Sequence, residues 1–242
     1  LFPMKLDAER GTDGWTLRDS SGAIYNKPDS SLYFDSADGR HWFSTDLPLT
    51  DENLSALQKK VKDLYDSTGY ALAGKFGGSF FESNPEFLMD LVMEPDKVTE
   101  SLTKKCDAVI EKIRLVDQAI VTFADDFGAQ NAPLLSPDLF RVMIVPHYRR
   151  FSSWLHANTN LKLYLHSCGA IMPLMDDIVE MGVDILNPIQ TSAAGMDPVA
   201  LKAKYGRRIV FCGGGCDTQN VLGFKSKEEL EEHVKERLRI FA

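Results

Sequence analysis

Apolar and polar positions follow one another in two regimes along this chain, and the change falls near residue 50. Before it, short alternating runs such as Trp15-Thr-Leu-Arg18 and Ser31-Leu-Tyr-Phe34 stand between turns rich in Gly, Asp and Ser, the pattern of a small antiparallel hairpin or meander over 1–50. From Asp51 onward Leu54, Leu57, Val61 and Leu64 recur at helical spacing, with Thr50 or Asp51 placed to cap the helix and Gly69 to stop it. Beyond Gly69 one unit repeats: a short apolar run, a polar turn, then an amphipathic helix. Tyr70-Ala-Leu-Ala73 leads into helices over 84–93 and 96–116, and Ala119-Ile-Val-Thr-Phe123 into one over 137–157. Leu161-Lys-Leu-Tyr-Leu165 precedes a helix over 171–181, Val183-Asp-Ile-Leu186 one over 197–204, and Arg208-Ile-Val-Phe211 one over 226–241.

Five β-then-α units imply a parallel sheet joined by right-handed crossovers. Both a doubly wound open sheet and a (β/α)8 barrel satisfy that order. Polar, chemistry-bearing residues follow every strand, which favours the barrel, because its βα loops ring one mouth whereas an open sheet gathers them at one switch point. The expected fold is therefore α/β of (β/α)8 TIM-barrel type, with a small antiparallel extension over 1–50 and a partial barrel over 51–242. Five units leave an eight-stranded barrel incomplete. Since the chain also starts without Met and stops inside a helix at Ile240-Phe-Ala242, it reads as a piece of a longer protein.

Composition narrows the function classes. With 44% hydrophobic and 26% charged residues the chain has material for a sizeable core. A net charge of -8 without any clustered basic stripe argues against a phosphate-tracking nucleic-acid binder. No apolar stretch approaches the roughly 18 residues of a spanning helix, and Leu1-Phe-Pro-Met-Lys-Leu-Asp7 lacks a basic-then-apolar signal, so a cytoplasmic setting and small-molecule partners are expected. Four cysteines, at 106, 168, 212 and 216, are too few and too uneven for a disulfide scaffold.

The candidate chemistry sits after the strands. His166 and Cys168 are two apart at a strand end and so share a face, with Gly169 turning the chain away. An imidazole and a thiolate together suit zinc, and three such ligands with one open position make a catalytic site; a core histidine beside a buried thiol is the plainer alternative. Cys216 is a candidate third ligand. Asp125 and Asp126 place two acids at the end of the preceding strand, where mutual repulsion suits general acid work or binding of a cationic group, unless one merely tidies the loop. Gln130, Asn187 and Gln190 offer amides that fix a carboxylate or carbonyl without adding charge. Asp217 and Gln219 follow the run Cys212-Gly-Gly-Gly-Cys216, which fits no nucleotide-binding motif.

Taken in order, Asp125-Asp-Phe-Gly-Ala-Gln130, Ser136-Pro-Asp-Leu-Phe140, Leu165-His-Ser-Cys-Gly169, Gly182-Val-Asp-Ile-Leu-Asn-Pro188, Gly195-Met-Asp-Pro198 and Gly213-Gly-Gly-Cys-Asp-Thr-Gln219 resemble the uroporphyrinogen decarboxylase superfamily, which includes cobalamin-dependent methyltransferases. The resemblance runs from about Gly69 to Ala242. Its methyltransferase branch implies zinc held by a His-x-Cys pair, matched here by His166 and Cys168, and by a later Cys that would fall beyond Ala242. It also implies a methyl group exchanged between a thiol or methylated small molecule and a corrinoid on a partner protein. The decarboxylase branch implies cofactor-free porphyrinogen decarboxylation, but its Arg-Gln-Ala-Gly-Arg signature is not in this chain. Zinc gives the first reading its chemical motive, since a coordinated thiol loses its proton near neutral pH and becomes nucleophilic. A non-catalytic binding remnant is the third alternative.

Overall fold

The computed structural model describes residues 7–11, 14–18, 24–27, 32–35, 41–43, 59, 61–69, 73–113 and 120–242. The chain divides into two compact units, Leu1–Leu54 and Ser55–Ala242. In the first, β1 (Asp7–Gly11), β2 (Gly14–Arg18) and β3 (Ile24–Lys27) form an antiparallel meander. A second antiparallel pair joins β4 (Leu32–Asp35) to β5 (His41–Phe43). The alternating runs at Trp15 and Leu32 thus lie in strands, as their period of two predicts.

In the second unit a helix over 61–67 (α1) is followed by β6 (Ala73–Gly78), α2 (Pro85–Met93), α3 (Pro95–Ile113), β7 (Ile120–Ala124), α4 (Pro137–Met143) and α5 (Val145–Asn158). Then come β8 (Leu163–His166), a 3₁₀ turn Met172–Leu174, α6 (Met175–Glu180), β9 (Ile185–Asn187), α7 (Pro198–Tyr205), β10 (Val210–Phe211) and α8 (Lys227–Phe241). The predicted start of the first helix, with Leu54 and Leu57, lies outside the described residues, as do Tyr70 to Leu72 of the first predicted strand. The observed strand β6 runs on through Gly77 and Gly78. Backbone pairing with β7 defines it, so an apolar side-chain run is a poor guide to its place.

Prolines account for the differences in helix bounds. One helix is expected over 137–157, but Pro146 has no N–H to donate and crowds the preceding turn, so α4 closes at Met143 and α5 starts afresh at Val145. Pro173 likewise confines the start of the next helix to a 3₁₀ turn. Where polar caps stand in the sequence, the bounds agree closely. Asn84 and Ser136 accept from the backbone N–H of Phe87 and Leu139, and Ser226 with Glu229 forms a reciprocal capping box at α8.

The five strands β6 to β10 lie side by side in sequence order, every pair parallel. An order without reversal is the wall of a barrel; a doubly wound sheet would reverse at a switch point. The fold is of TIM-barrel type and incomplete here. Val121, Phe123, Leu163, Leu165 and Leu186 are buried on the helix-facing side, while Thr122, Tyr164, His166 and Asn187, of opposite parity, are only half-buried. Against the first set packs an aromatic cluster with ring centroids 4.6 Å apart for Phe80 and Phe123, 5.0 Å for Phe123 and Phe151, and 4.9 Å for Phe127 and Phe140. Each such pair adds roughly 0.5–1.5 kcal/mol beyond its burial, which fixes the spacing of β7 from α4 and α5 and so the height of the strand ends.

Candidate metal centre

Strand register assembles the mouth. Ala124 pairs with His166 and His166 with Asn187, while Cys212 N donates to Leu186 O at 2.9 Å just past β10. Residues one or two places beyond these pairs are therefore neighbours across three loops. Cys168 lies past the end of β8, yet its Sγ stands 3.5 Å from His166 Nε2. Asp126 Oδ1 accepts from Cys168 N at 2.7 Å and stands 3.9 Å from His166 Nε2. One ligand atom each from Asp126, His166 and Cys168 lie within 4.8 Å of one another, a group of three metal-type donors among the described residues.

This donor set fits zinc. A nitrogen and a sulfur at zinc's usual bond lengths and the tetrahedral angle stand about 3.6 Å apart, close to the observed 3.5 Å. For nitrogen and oxygen the corresponding edge is about 3.4 Å, so the carboxylate at 3.9 Å would have to move closer to the imidazole to share the ion. Burial pushes the Cys168 thiol up to about 11, with the Asp126 carboxylate beside it adding to the shift. At neutral pH that sulfur keeps its proton until a cation replaces it.

Asp125 is placed elsewhere. Instead of sharing the mouth with Asp126, it is fully buried and accepts from Phe80 N at 2.9 Å, from the Tyr148 hydroxyl and from the Ser79 hydroxyl. Burial pushes its carboxyl above the usual range, against the hydrogen bonds from Ser79, Tyr148 and the backbone. The predicted pairing of two acids at one opening is thus not what the geometry brings together. Ser79 and Tyr148 carried no signal as partners, since neither is near Asp125 in sequence.

The amides expected to meet substrate mostly meet one another. Gln130 Oε1 accepts from Gln190 Nε2 at 2.8 Å and from Gln219 Nε2 at 2.9 Å, and Gln130 Nε2 donates to Ser192 O at 2.6 Å. Gln190 Oε1 accepts from Gly169 N at 2.9 Å, so this lattice grips the loop that carries Cys168. Asn187 Oδ1 lies 2.8 Å from His166 Nδ1, and its Nδ2 donates to Cys212 O at 2.8 Å. Asp217 closes its own turn, accepting from Gln219 N at 2.8 Å and Asn220 N at 3.0 Å. Cys216 Sγ points to Asp217 O at 3.6 Å and is not part of the donor group. Asp126, rather than Cys216, stands with His166 and Cys168 in that group. The clue in the sequence was its offset from Ala124, equal to that of Cys168 from His166, but only the strand register turns that offset into proximity.

No curated protein sequence matches the chain. A methyltransferase from Methanosarcina mazei has a similar solved structure, with a TM-score of 0.52 and 18% identity over 98% of this chain and 67% of that one. At that identity the likeness speaks for the fold, and it agrees with the sequential parallel strands. The family model of uroporphyrinogen decarboxylase (URO-D) matches residues 78–242. Because that match spans well over half of the sequence and takes in β7 to β10 with the loops that form the mouth, the chain belongs to the uroporphyrinogen decarboxylase family.

Proposed function

We propose that this protein is a zinc-dependent methyltransferase, moving a methyl group between a corrinoid carried by a partner protein and a thiol or methylated small molecule. The observation that carries the reading is the convergence of Asp126, His166 and Cys168 at the strand ends, where a barrel of this type places its chemistry. Bound there, zinc would hold a substrate thiol as thiolate at neutral pH, ready to take up a methyl group. His166 and Cys168 supply one nitrogen and one sulfur, while Asp126 keeps the Cys168 loop in place through its bond to Cys168 N. Gln130, Gln190 and Gln219 tie three loops around the opening. Among the described residues no helix is long and apolar enough to cross a membrane, and a cytoplasmic setting belongs to the same proposal.

Metal analysis tests this directly. Purified protein equilibrated with zinc and freed of excess is expected to retain about one ion per chain, and His166→Ala or Cys168→Ser to lower the affinity at least tenfold. Wild-type protein that retains no zinc would overturn the reading. Release of carbon dioxide from uroporphyrinogen by metal-free protein would replace it with cofactor-free decarboxylation, and ligand binding without turnover of either kind with a non-catalytic role.

A further inference from the structure

We infer that Asn187 is a positioning residue that fixes the tautomer of His166, so that the Nε2 lone pair faces Cys168 and Asp126. The inference concerns the same mouth as the proposed function; its metal arm rests on that reading and its tautomer arm does not. A side-chain amide has one donor end and one acceptor end, and exchanging them reverses what each neighbour must do. Here the choice is made by a backbone carbonyl, which only accepts. Asn187 Nδ2 lies 2.8 Å from Cys212 O, so that end must be the amino group; the opposite orientation would set two oxygens against each other. Asn187 Oδ1 therefore faces His166 Nδ1 at 2.8 Å, and Nδ1 must carry the hydrogen.

In the neutral ring the other nitrogen is then unprotonated. That nitrogen, Nε2, stands 3.5 Å from Cys168 Sγ and 3.9 Å from Asp126 Oδ1, inside the donor group. Orientation passes from Cys212 O through the Asn187 amide to the imidazole. Two of the three residues in this relay are partners in strand register, His166 with Asn187, which keeps the ring plane and the amide in contact along the sheet. The loop after β10, through the carbonyl of Cys212, thereby helps to set the chemistry of a residue on β8. A metal-bound histidine is ordered in this way by whatever accepts its second N–H.

Long-range proton–nitrogen correlation spectra of ¹⁵N-labelled, metal-free protein at about pH 8, where an ordinary imidazole is neutral, read the tautomer of each ring. His166 is identified among the five histidines by its loss in His166→Gln. Expected for wild type is a protonated Nδ1 and a bare Nε2. Asn187→Leu removes the acceptor and is expected to shift His166 toward the Nε2–H form and to weaken zinc binding about 10–100-fold. Asn187→Asp keeps an acceptor toward Nδ1 while its other oxygen loses the bond to Cys212 O, so it should hold the ring with Nδ1 protonated and never in the Nε2–H form alone. An Nε2–H ring in wild type, or an unchanged ring in folded Asn187→Leu, overturns the inference; if that variant does not fold, the wild-type and Asn187→Asp spectra decide it alone. Zinc that fails to bind wild type while His166 shows the expected tautomer sinks the metal reading and leaves this one standing.

Discussion

Gly169→Ala is expected to cost the fold roughly 2–5 kcal/mol and to abolish tight zinc binding, while Gly215→Ala stays within about 0.5 kcal/mol of wild type. Gly169 has φ +88°, a conformation an alanine adopts only with strain of about 1–2 kcal/mol. A Cβ there would also stand 2.3 Å from both the carbonyl carbon and the oxygen of Gly128, and 2.7 Å from Ala129 O. Those are backbone atoms of the neighbouring loop, so no side chain can swing aside. Relief requires the loops after β7 and β8 to part, which opens the bond from Ala170 N to Ala129 O at 2.8 Å and adds about 1–3 kcal/mol of overpacking. The same two loops carry the bond between Asp126 and Cys168 N, so the donor triangle opens with them. At Gly215 a Cβ meets nothing within 4 Å. With about 2–4 °C per kcal/mol in a chain of this size, thermal melting should fall by roughly 4–20 °C in the first variant and hold in the second. A Gly169→Ala protein that melts with wild type and binds zinc equally well would show that this contact does not set the position of Cys168.

The fold was legible because it is written in periods: apolar runs of four or five residues separated by amphipathic helices fix the number and order of βα units. Within the site, His166 and Cys168 were legible for the same reason, since residues two apart keep one face. The same parity, carried two residues past β7, also separates Asp125 from Asp126. Val121 and Phe123 are buried toward the helices, and Asp125 continues that side, whereas Asp126 follows Thr122 and Ala124 toward the opening. Adjacency in sequence suggested a shared cleft, and alternation forbids it. What local pattern does not contain is register: that Ala124 lies beside His166, and His166 beside Asn187, depends on how whole strands settle against their helices. Hence Asp126 as a neighbour of Cys168, and the amides as partners of one another, emerged only from the packed structure. Cys216 was a candidate by residue type alone, and the turn closed by Asp217 places it outside the donor group.

For Asp125 the largest effect is expected on truncation, and the sign of its pH dependence distinguishes a neutral from an ionised carboxyl. Asp125→Ala leaves the Phe80 N–H and the Tyr148 hydroxyl without an acceptor in a sealed site, which should cost about 3–5 kcal/mol. Asp125→Asn should cost at most about 2 kcal/mol. Its oxygen can take the place of Oδ2, which both donors reach, and its amino group can face the Ser79 hydroxyl. That hydroxyl has a single hydrogen and a second acceptor, Phe81 O at 2.5 Å, to which it can turn when an amino group donates to its oxygen. Burial holds the folded carboxyl above its unfolded value, so folding takes up a proton. The stabilisation from this group is complete below the unfolded value near 3.9 and fades as pH rises through the folded one. Asparagine has no proton to lose. Its penalty relative to wild type should therefore shrink as pH rises above about 4 in urea titrations. A penalty that grows over that range would mean that the hydrogen bonds outweigh burial and that Asp125 is ionised. Either way the carboxyl ties the loop between β6 and α2 to β7 and α5.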